Sequence, residues 1–324
     1  MLVVTGADGF IGSNLVADLL AAGAGPVAAV DAYGAKPARY VDELKVAEKL
    51  ERDELPKWLD RQGSKVRGVF HLGACSDTTA TDRPFMLRNN VEYSQTLFRW
   101  CAQAGVPFVY ASSAATYGDG AAGFDDEADP KALKPLNLYG ESKQLFDLWA
   151  LEQRAAPPRW AGLKYFNVYG PREAHKGRMA SVALHAFRQL RAEGEVKLFE
   201  SHREGIPHGG QKRDFVFVAD AVAATRFFLE TPASAGAPNG LYNVGTGAAR
   251  SFADLARAVF AALGLEPRIR YIPMPGDLRE KYQYFTQAAT RKLRRAGFAR
   301  PFASLETGVA AYVRQLAEAE ALSS

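Results

Sequence analysis

Cysteine is nearly absent. Cys75 and Cys101 are the only two in 324 residues, so neither a disulfide framework nor a thiolate metal cluster organises this chain. Both stand in apolar stretches, which fits a reducing compartment. Long apolar runs are missing as well, and none approaches the ~18 residues of a membrane span. The opening Met1-Leu2-Val3-Val4-Thr5-Gly6 has no charged segment of the kind that begins a secretory signal. The expectation is a cytoplasmic protein with no membrane partner. Charge of one sign is not in excess either: 40 basic against 36 acidic residues give net +4 with no basic block. Nucleic acid is therefore not expected as a partner. No internal repeat, low-complexity segment or metal-ligand spacing is present, and no metal is expected. The remaining composition, 48% hydrophobic and 23% charged, suits one large domain or two modest ones.

What is there is an alternation of short apolar strands and helical segments. Leu2 to Thr5 reads as a buried strand, Gly6-Ala7-Asp8-Gly9-Phe10-Ile11-Gly12 follows, and a helix is predicted from about Ile11 to Ala22. Such a unit cradles phosphate: the glycines permit a tight turn and close backbone approach, and the helix N-terminus supplies N–H groups and positive dipole. The spacing is Gly-x-x-Gly-x-x-Gly rather than the general Gly-x-Gly-x-x-Gly. The next strand, Pro26 to Val30, ends at Asp31. An acid there binds a ribose hydroxyl, which argues for NAD. Lys36, Arg39 and Arg52 follow, and cations there hold a 2′-phosphate, which argues for NADP. Val66 to Leu72 is a further strand, entering Gly73-Ala74-Cys75-Ser76, where small residues let a cofactor pass close by. Asn89-Asn90 enters a helix to Gln103, and Phe108 to Ala111 is the next strand. This order predicts βαβ units: an α/β fold with a Rossmann-type doubly wound parallel sheet and a smaller C-terminal substrate domain.

Tyr139 and Lys143 fall on a helix predicted from Gly140 to about Arg154, and their i, i+4 spacing puts both on one face. A phenol titrates near pH ~10, and a neighbouring ammonium favours the phenolate. Tyr139 is thus expected to have a lowered pKa and to exchange a proton with a sugar alcohol. Tyr-x-x-x-Lys alone is a common pattern. Ser113 adds weight, because a hydroxyl at a strand's carboxyl end lies at the ligand crevice of such a sheet. There it can hydrogen-bond both the substrate alcohol and the Tyr139 phenol.

With Gly6, Gly9, Gly12, Ser113, Tyr139 and Lys143 in this order, the chain resembles the extended short-chain dehydrogenase/reductase superfamily. Further stretches resemble its ADP-glyceromanno-heptose 6-epimerase subgroup: Ala74-Cys75-Ser76, Ser113-Ala114-Ala115-Thr116, Asn167-Val168-Tyr169-Gly170-Pro171-Arg172, His175-Lys176-Gly177-Arg178, Lys212-Arg213-Asp214-Phe215 and Tyr282-Gln283-Tyr284-Phe285. The resemblance implies catalytic roles for Ser113, Tyr139, Lys143 and Lys176, with Lys143 holding the nicotinamide ribose. It implies a cofactor, NADP with NAD as the alternative, along Gly6, Gly9, Phe10, Ile11, Gly12, Asp31, Ala32, Arg39, Arg52, Leu72, Gly73, Ala74, Cys75, Ser76, Asn89, Lys143 and Val168. Substrate contacts are implied for Ser113, Asn167, Arg178, His185, Phe199, Glu200, Ser201, His202, Arg213 and Tyr282. Asp8 is a departure, standing where the subgroup often has a small residue. So is the stretch from Ser201 to Gln211, longer than usual.

The reaction implied is inversion at C6 of ADP-D-glycero-β-D-manno-heptose through a transient ketone, for the lipopolysaccharide inner core. Rotation of an exocyclic carbon moves its oxygen between the two half-reactions, so a second acid/base is expected beside Tyr139. Lys176 takes that role by resemblance, which needs a depressed pKa. A UDP-hexose 4-epimerase or nucleotide-sugar 4,6-dehydratase is the other enzyme reading, although Ala114-Ala115 stand where dehydratases carry an Asp-Glu pair. A catalytically silent NADP-binding regulator is a third. The expected domains are 1–169 plus 214–262 for the cofactor and 170–213 plus 263–324 for the substrate. A homo-oligomer, a pentamer by resemblance, completes the expectation.

Overall fold

The computed structural model describes residues 1–35, 38–230, 237–279 and 282–323, with the backbone alone at 277, 278 and 323. Lys36, one of the cations considered for a 2′-phosphate, lies outside the described residues. In chain order the elements begin β1 (Leu2–Thr5), α1 (Phe10–Ala21), β2 (Val27–Asp31), β3 (Glu48–Glu51), α2 (Leu55–Gln62), β4 (Gly68–His71), α3 (Arg83–Met86) and α4 (Tyr93–Ala104). They continue with β5 (Phe108–Ser113), α5 (Leu138–Glu152), β6 (Trp160–Tyr165), β7 (Asn167–Tyr169), α6 (Val182–Glu193), β8 (Val196–Phe199), β9 (Lys212–Phe217) and α7 (Val218–Glu230). Last come β10 (Gly240–Val244), β11 (Ala249–Ser251), α8 (Phe252–Ala262), β12 (Ile269–Ile272), α9 (Gly276–Arg279), α10 (Arg291–Arg295) and α11 (Leu305–Ser323).

The chain forms two compact units: Met1–Tyr165 with Val222–Asn243 and Arg291–Ala299, and Phe166–Ala221 with Val244–Thr290 and Arg300–Ser324. This division differs from the expected boundaries. Residues 214–221 and 244–262 fall in the second unit because β9 pairs with β7 and β11 and takes no place in the large sheet.

The first unit holds a seven-stranded sheet in the order β10-β6-β5-β4-β1-β2-β3. The pairings from β3 through β6 are all parallel. Strands such as Leu-Val-Val-Thr of β1 are buried along their whole length, as expected for a sheet covered by helices on both faces. Its core stacks Phe98 edge-on against Phe108, Phe146, Trp149 and Trp160. The order reverses between β1 and β4, and a crevice opens beyond the carboxyl ends of the strands at such a switch point. The carboxyl ends of β1 to β5 and the segments that follow them, including the first turns of α1 and α5, carry the predicted cofactor and catalytic residues up to Lys143.

The predicted helix from Asn89 to Gln103 starts earlier and contains a π-turn. α3 runs into Leu87–Glu92, whose bonds are of the π type, and then into α4. The second unit has a three-stranded sheet, β11-β9-β7, and a two-stranded one, β12-β8. Its own core joins α6, α8 and α11 through Phe187, Leu190, Leu255, Val259, Val309 and Tyr312. Among the described residues no helix is long and apolar enough to cross a membrane, and no three His, Cys, Asp or Glu side chains group as metal ligands.

Candidate active site

At the end of β1 the chain turns through Gly6, whose φ of +65° favours glycine. A Cβ there would lie 2.6 Å from the Gly73 nitrogen, and one on Gly12 would lie 1.9 Å from the Gly6 carbonyl oxygen. Space as well as torsion thus demands glycine, and the loop after β4 runs directly against the loop after β1. Thr5 reinforces this approach. Its hydroxyl accepts the Gly73 N–H (3.1 Å) and lies 2.7 Å from Nδ1 of His71. His71 Nε2 lies 2.8 Å from the Ser94 hydroxyl, whose own proton goes to the Asn90 carbonyl. Ser94 must therefore accept from Nε2–H, which leaves Nδ1 to accept from Thr5. Burial, with the Lys143 charge adding to it, pulls His71 down to about 3, so the ring is neutral.

Gly9 precedes the first turn of α1, and no side chain caps that N-terminus. A bare helix start within a glycine turn fits the pyrophosphate of a dinucleotide. At the end of β2, Asp31 accepts the N–H groups of Ala32 (2.8 Å) and Asp8 (2.9 Å). Arg39 is exposed nearby in the chain. Arg52 is more heavily engaged, donating to Asp53 (2.8 Å) and Asn89 and lying over the Tyr93 ring.

Asn90, which the sequence reading passed over in favour of Asn89, is a central brace. Its side chain takes the Cys75 N–H (2.8 Å) and donates to the Cys75 carbonyl and to Ser142 (both 2.9 Å). One amide thus ties the loop after β4 to α5. The available signal was an Asn-Asn pair inside a helical pattern, and the π-turn is what directs it inward.

α5 is capped by Asn137, whose side chain accepts the Gly140 N–H (2.9 Å). This start places Tyr139 in the first turn, with Lys143 one turn on. The Ser113 hydroxyl hydrogen-bonds the Tyr139 phenol, and the Lys143 ammonium is 6.0 Å from the Tyr139 ring centroid. Ser113, Tyr139 and Lys143 are thus brought together as expected. The direction of the phenol's pKa is not as expected. Burial pushes Tyr139 above its ordinary value despite the Ser113 bond, and the Asp147 and Cys75 charges add to the rise. Burial also pulls Lys143 down to about 8, against Asp147 and Cys75. In the protein alone desolvation outweighs the helical pairing that sequence suggests.

Below this face lies a network that spacing did not reveal. Asp147 pairs with Lys164 at 2.6 Å, with side-chain exposures of 0% and 2%. Tyr110 (2.9 Å) and Ser112 (2.7 Å) also donate to Asp147, and Lys164 reaches Thr116 (2.8 Å). Both ions are therefore hydrogen-bonded beyond each other, the condition under which a buried pair is tolerated.

In the second unit, Lys176 sits half-buried on the short helical turn Ala174–Met179. Burial lowers its pKa, and the Glu173 carboxylate acts against that shift. Glu173 itself is buried and accepts from Gly170 N–H (3.2 Å) and from the N–H and hydroxyl of Ser181 (both 2.6 Å). Arg178 on the same turn is exposed, and His185 is on α6. Phe199 meets Tyr282 edge-on, and the Arg213 guanidinium lies over Tyr282 and Phe252, with ring centroids 5.3 and 5.5 Å away. Arg213 donates to the carbonyls of Lys212 (2.9 Å) and Gln283, and burial lowers its pKa. Glu200, Ser201 and His202 follow β8, and the His202 N–H donates to the Tyr284 hydroxyl (2.9 Å). Asn167 and Val168 lie on β7, in this second unit.

Asp214, beside Arg213, is the second residue the reading missed as a brace. Its carboxylate accepts from the Thr246 N–H and hydroxyl (both 2.7 Å), Gly247 N–H (2.9 Å) and Ala288 N–H (3.0 Å). Burial raises its pKa and these bonds pull against the rise. One acid therefore fastens two loops beside the strand that carries Arg213.

The chain as a whole is similar to known proteins over nearly its full length. A relative from Nitratidesulfovibrio vulgaris, named ADP-L-glycero-D-manno-heptose-6-epimerase, is 46% identical over 97% of each chain. One of the same name from Fusobacterium nucleatum is 42% identical over 97% of each. The crystal structure of the Helicobacter pylori enzyme of that name superposes with a TM-score of 0.79 at 27% identity, covering 98% of this chain and 96% of that one. The model of the NAD dependent epimerase/dehydratase family matches residues 2–245, a span that runs from β1 through the large sheet to its last strand. Fold, cradle and relatives agree, and the chain belongs to the NAD dependent epimerase/dehydratase family.

Proposed function

We propose that the protein inverts C6 of the heptose in ADP-D-glycero-β-D-manno-heptose to give the L-glycero epimer, in supply of the lipopolysaccharide inner core. The observation that carries the proposal is the half-buried Tyr139, its phenol hydrogen-bonded to Ser113, with Lys143 one turn along the same helix. Relatives above 40% identity that carry the 6-epimerase name supply the substrate class.

The Gly6-to-Gly12 turn and the α1 N-terminus would hold the cofactor's pyrophosphate, Asp31 and Arg39 its adenosine ribose end, and Lys143 its nicotinamide ribose. Bound nicotinamide supplies reversible hydride acceptance. The phenolate form of Tyr139 takes the proton of the C6 hydroxyl and becomes the phenol, while Ser113 orients that hydroxyl and stabilises the phenolate beforehand. Tyr139 starts from a raised pKa, and positive charge placed beside it lowers that value toward the working pH. After rotation of the exocyclic carbon, the carbonyl oxygen lies where one phenol cannot follow. Lys176, its ammonium already destabilised by burial, protonates the oxygen in that second position.

Arg213 supports a diphosphate substrate. A buried guanidinium whose hydrogen bonds go to carbonyls is suited to an anion. Phe199, Tyr282 and the residues after β8 would receive the adenosine. NADP is the cofactor of choice in this reading, on account of Arg39. A homopentamer and a cytoplasmic location complete it; the two cysteines carry free thiols, which suits a reducing compartment. The test is to incubate the purified protein with ADP-D-glycero-β-D-manno-heptose and follow the C6 proton by NMR. Conversion to a mixture of epimers is expected; unchanged stereochemistry with a folded, cofactor-binding protein overturns the assignment.

A further inference from the structure

Asp8 interrupts the glycine turn with an acid whose carboxylate is turned to the backbone of residues 39–41. The side chain is nearly fully buried, at 7% exposure. Oδ2 accepts the Arg39 N–H at 2.9 Å, and Oδ1 accepts the Tyr40 and Val41 N–H groups at 2.8 and 3.0 Å. Its own N–H donates to Asp31 Oδ2 at 2.9 Å. A continuous hydrogen-bonded path therefore runs from the Asp31 carboxylate through Asp8 to the backbone of Arg39. Three successive N–H groups on one carboxylate are charge-assisted bonds, about twice as strong as neutral ones.

We infer that Asp8 is a positioning residue for cofactor choice: it fixes the backbone of Arg39 beside Asp31 so that the Arg39 guanidinium meets a 2′-phosphate on the adenosine ribose. This rests on the NADP reading above.

Three observations converge on it. First, Asp31 already accepts two backbone N–H groups, so its side chain is held in place where an adenosine ribose would sit. A 2′-phosphate there is repelled unless a cation is supplied. Second, Arg52, the other described cation considered for this role, donates to Asp53 and Asn89. Arg39 is exposed. Third, the carboxylate divides its work. Oδ1 serves Tyr40 and Val41, and Val41 is anchored independently by burial at 1% exposure. Oδ2 serves Arg39 alone among the described hydrogen bonds. An Asn at position 8 can keep the Oδ1 bonds but presents an amide N–H to the Arg39 N–H, so it releases Arg39 selectively.

The experiment measures dissociation constants for NADPH and NADH by fluorescence titration of the purified protein and of the Asp8→Asn and Arg39→Ala variants, with thermal unfolding as a check on fold. Loss of a charge-assisted contact is worth ~1.5–3 kcal/mol, or roughly 10- to 100-fold, so Arg39→Ala should lose NADPH affinity by about that factor and NADH affinity little. Asp8→Asn should lower the NADPH-over-NADH preference at least roughly fivefold, toward that of Arg39→Ala. Equal weakening of both nucleotides in Asp8→Asn would show that Asp8 merely supports the glycine turn, and the inference would be wrong. An unchanged preference with intact folding would overturn it too. If the unaltered protein itself does not prefer NADPH, the NADP reading fails, and the inference falls with it. Because the readout is binding, it stands apart from turnover of any sugar nucleotide. The double variant Asp8→Asn/Arg39→Ala adds a control: a preference no lower than that of Arg39→Ala shows both residues acting through one contact.

Discussion

The two lysines of the proposed mechanism, Lys143 and Lys176, sit in unlike surroundings. Lys143 lies on a 15-residue helix with a side-chain cap at its start and a buried ion pair beneath it. Lys176 lies on a six-residue turn interrupted by Gly177 at φ 53°, ψ −124° and closed by the Glu173 carboxylate. The first position is set by many cooperating contacts, the second by a few local ones. The rigid helix that Lys143 shares with Tyr139 suits a fixed acid/base, the role proposed for the phenol in the half-reaction that begins with a bound alcohol. A lysine on a short turn suits an oxygen that arrives after the sugar has rotated.

The largest contrast is expected in turnover. Tyr139→Phe should slow epimerisation by about 10³–10⁴-fold, within the span of general acid–base catalysis, while leaving NADPH titrations unchanged. Lys176→Met should slow it by roughly 10²-fold, equally in both directions because the equilibrium between the epimers is unchanged. Equal, mild losses in both variants would erase the distinction drawn here.

The next effect is on stability. Asp147→Ala leaves Lys164 as an uncompensated buried charge, which costs about 3–5 kcal/mol. Urea unfolding should show that loss, and Asp147→Ala combined with Lys164→Met should recover most of it. Failure of the second change to rescue would mean that the pair is not what supports α5.

The pH dependence follows from Lys143. Its pKa falls from 10.5 in the unfolded chain to about 8 in the fold. Below about 8 both states are protonated, and burying the charge costs its full amount. Between about 8 and 10.5 the unfolded chain binds more protons, so the fold gains stability as pH rises. Relative to Lys143→Met, the native protein should therefore improve by on the order of 3 kcal/mol across this window. A flat difference would contradict the direction assigned to Lys143.

The smallest effect belongs to the turn. A Cβ on Gly177 meets nothing within 4 Å, so the demand for glycine there is torsional. Gly177→Ala should cost about 1 kcal/mol and shift Lys176, lowering turnover more than cofactor affinity. Unchanged turnover would show that the turn tolerates a different shape.

The parts legible in the sequence are those that local spacing determines. Gly6, Gly9 and Gly12 after a strand announce the cradle, and Tyr139 with Lys143 announces a shared helix face. The strands β1, β2, β4 and β5 and a parallel sheet follow from alternating apolar strands and helices, whereas β3, charged and largely exposed, carries no such signal. The braces were illegible because their partners are remote in the chain. Asp147 finds Lys164 only once α5 lies on β6, and Asp214 meets Thr246 and Ala288 only after the second unit has folded. Asn90 is directed by a π-turn that no period in the sequence encodes. The rise in the Tyr139 pKa belongs to the same class, since spacing reports the neighbouring ammonium but not the burial around it.

The chain's alternation between its units has a consequence for synthesis. The large sheet ends with β10 beside β6, yet about 75 residues, most of them destined for elsewhere, separate those strands on the ribosome. Until β10 emerges, β6 offers an unsatisfied edge of N–H and C=O groups to any passing strand. Shortened messages that stop before β10 should therefore yield aggregating fragments, not a miniature nucleotide-binding protein.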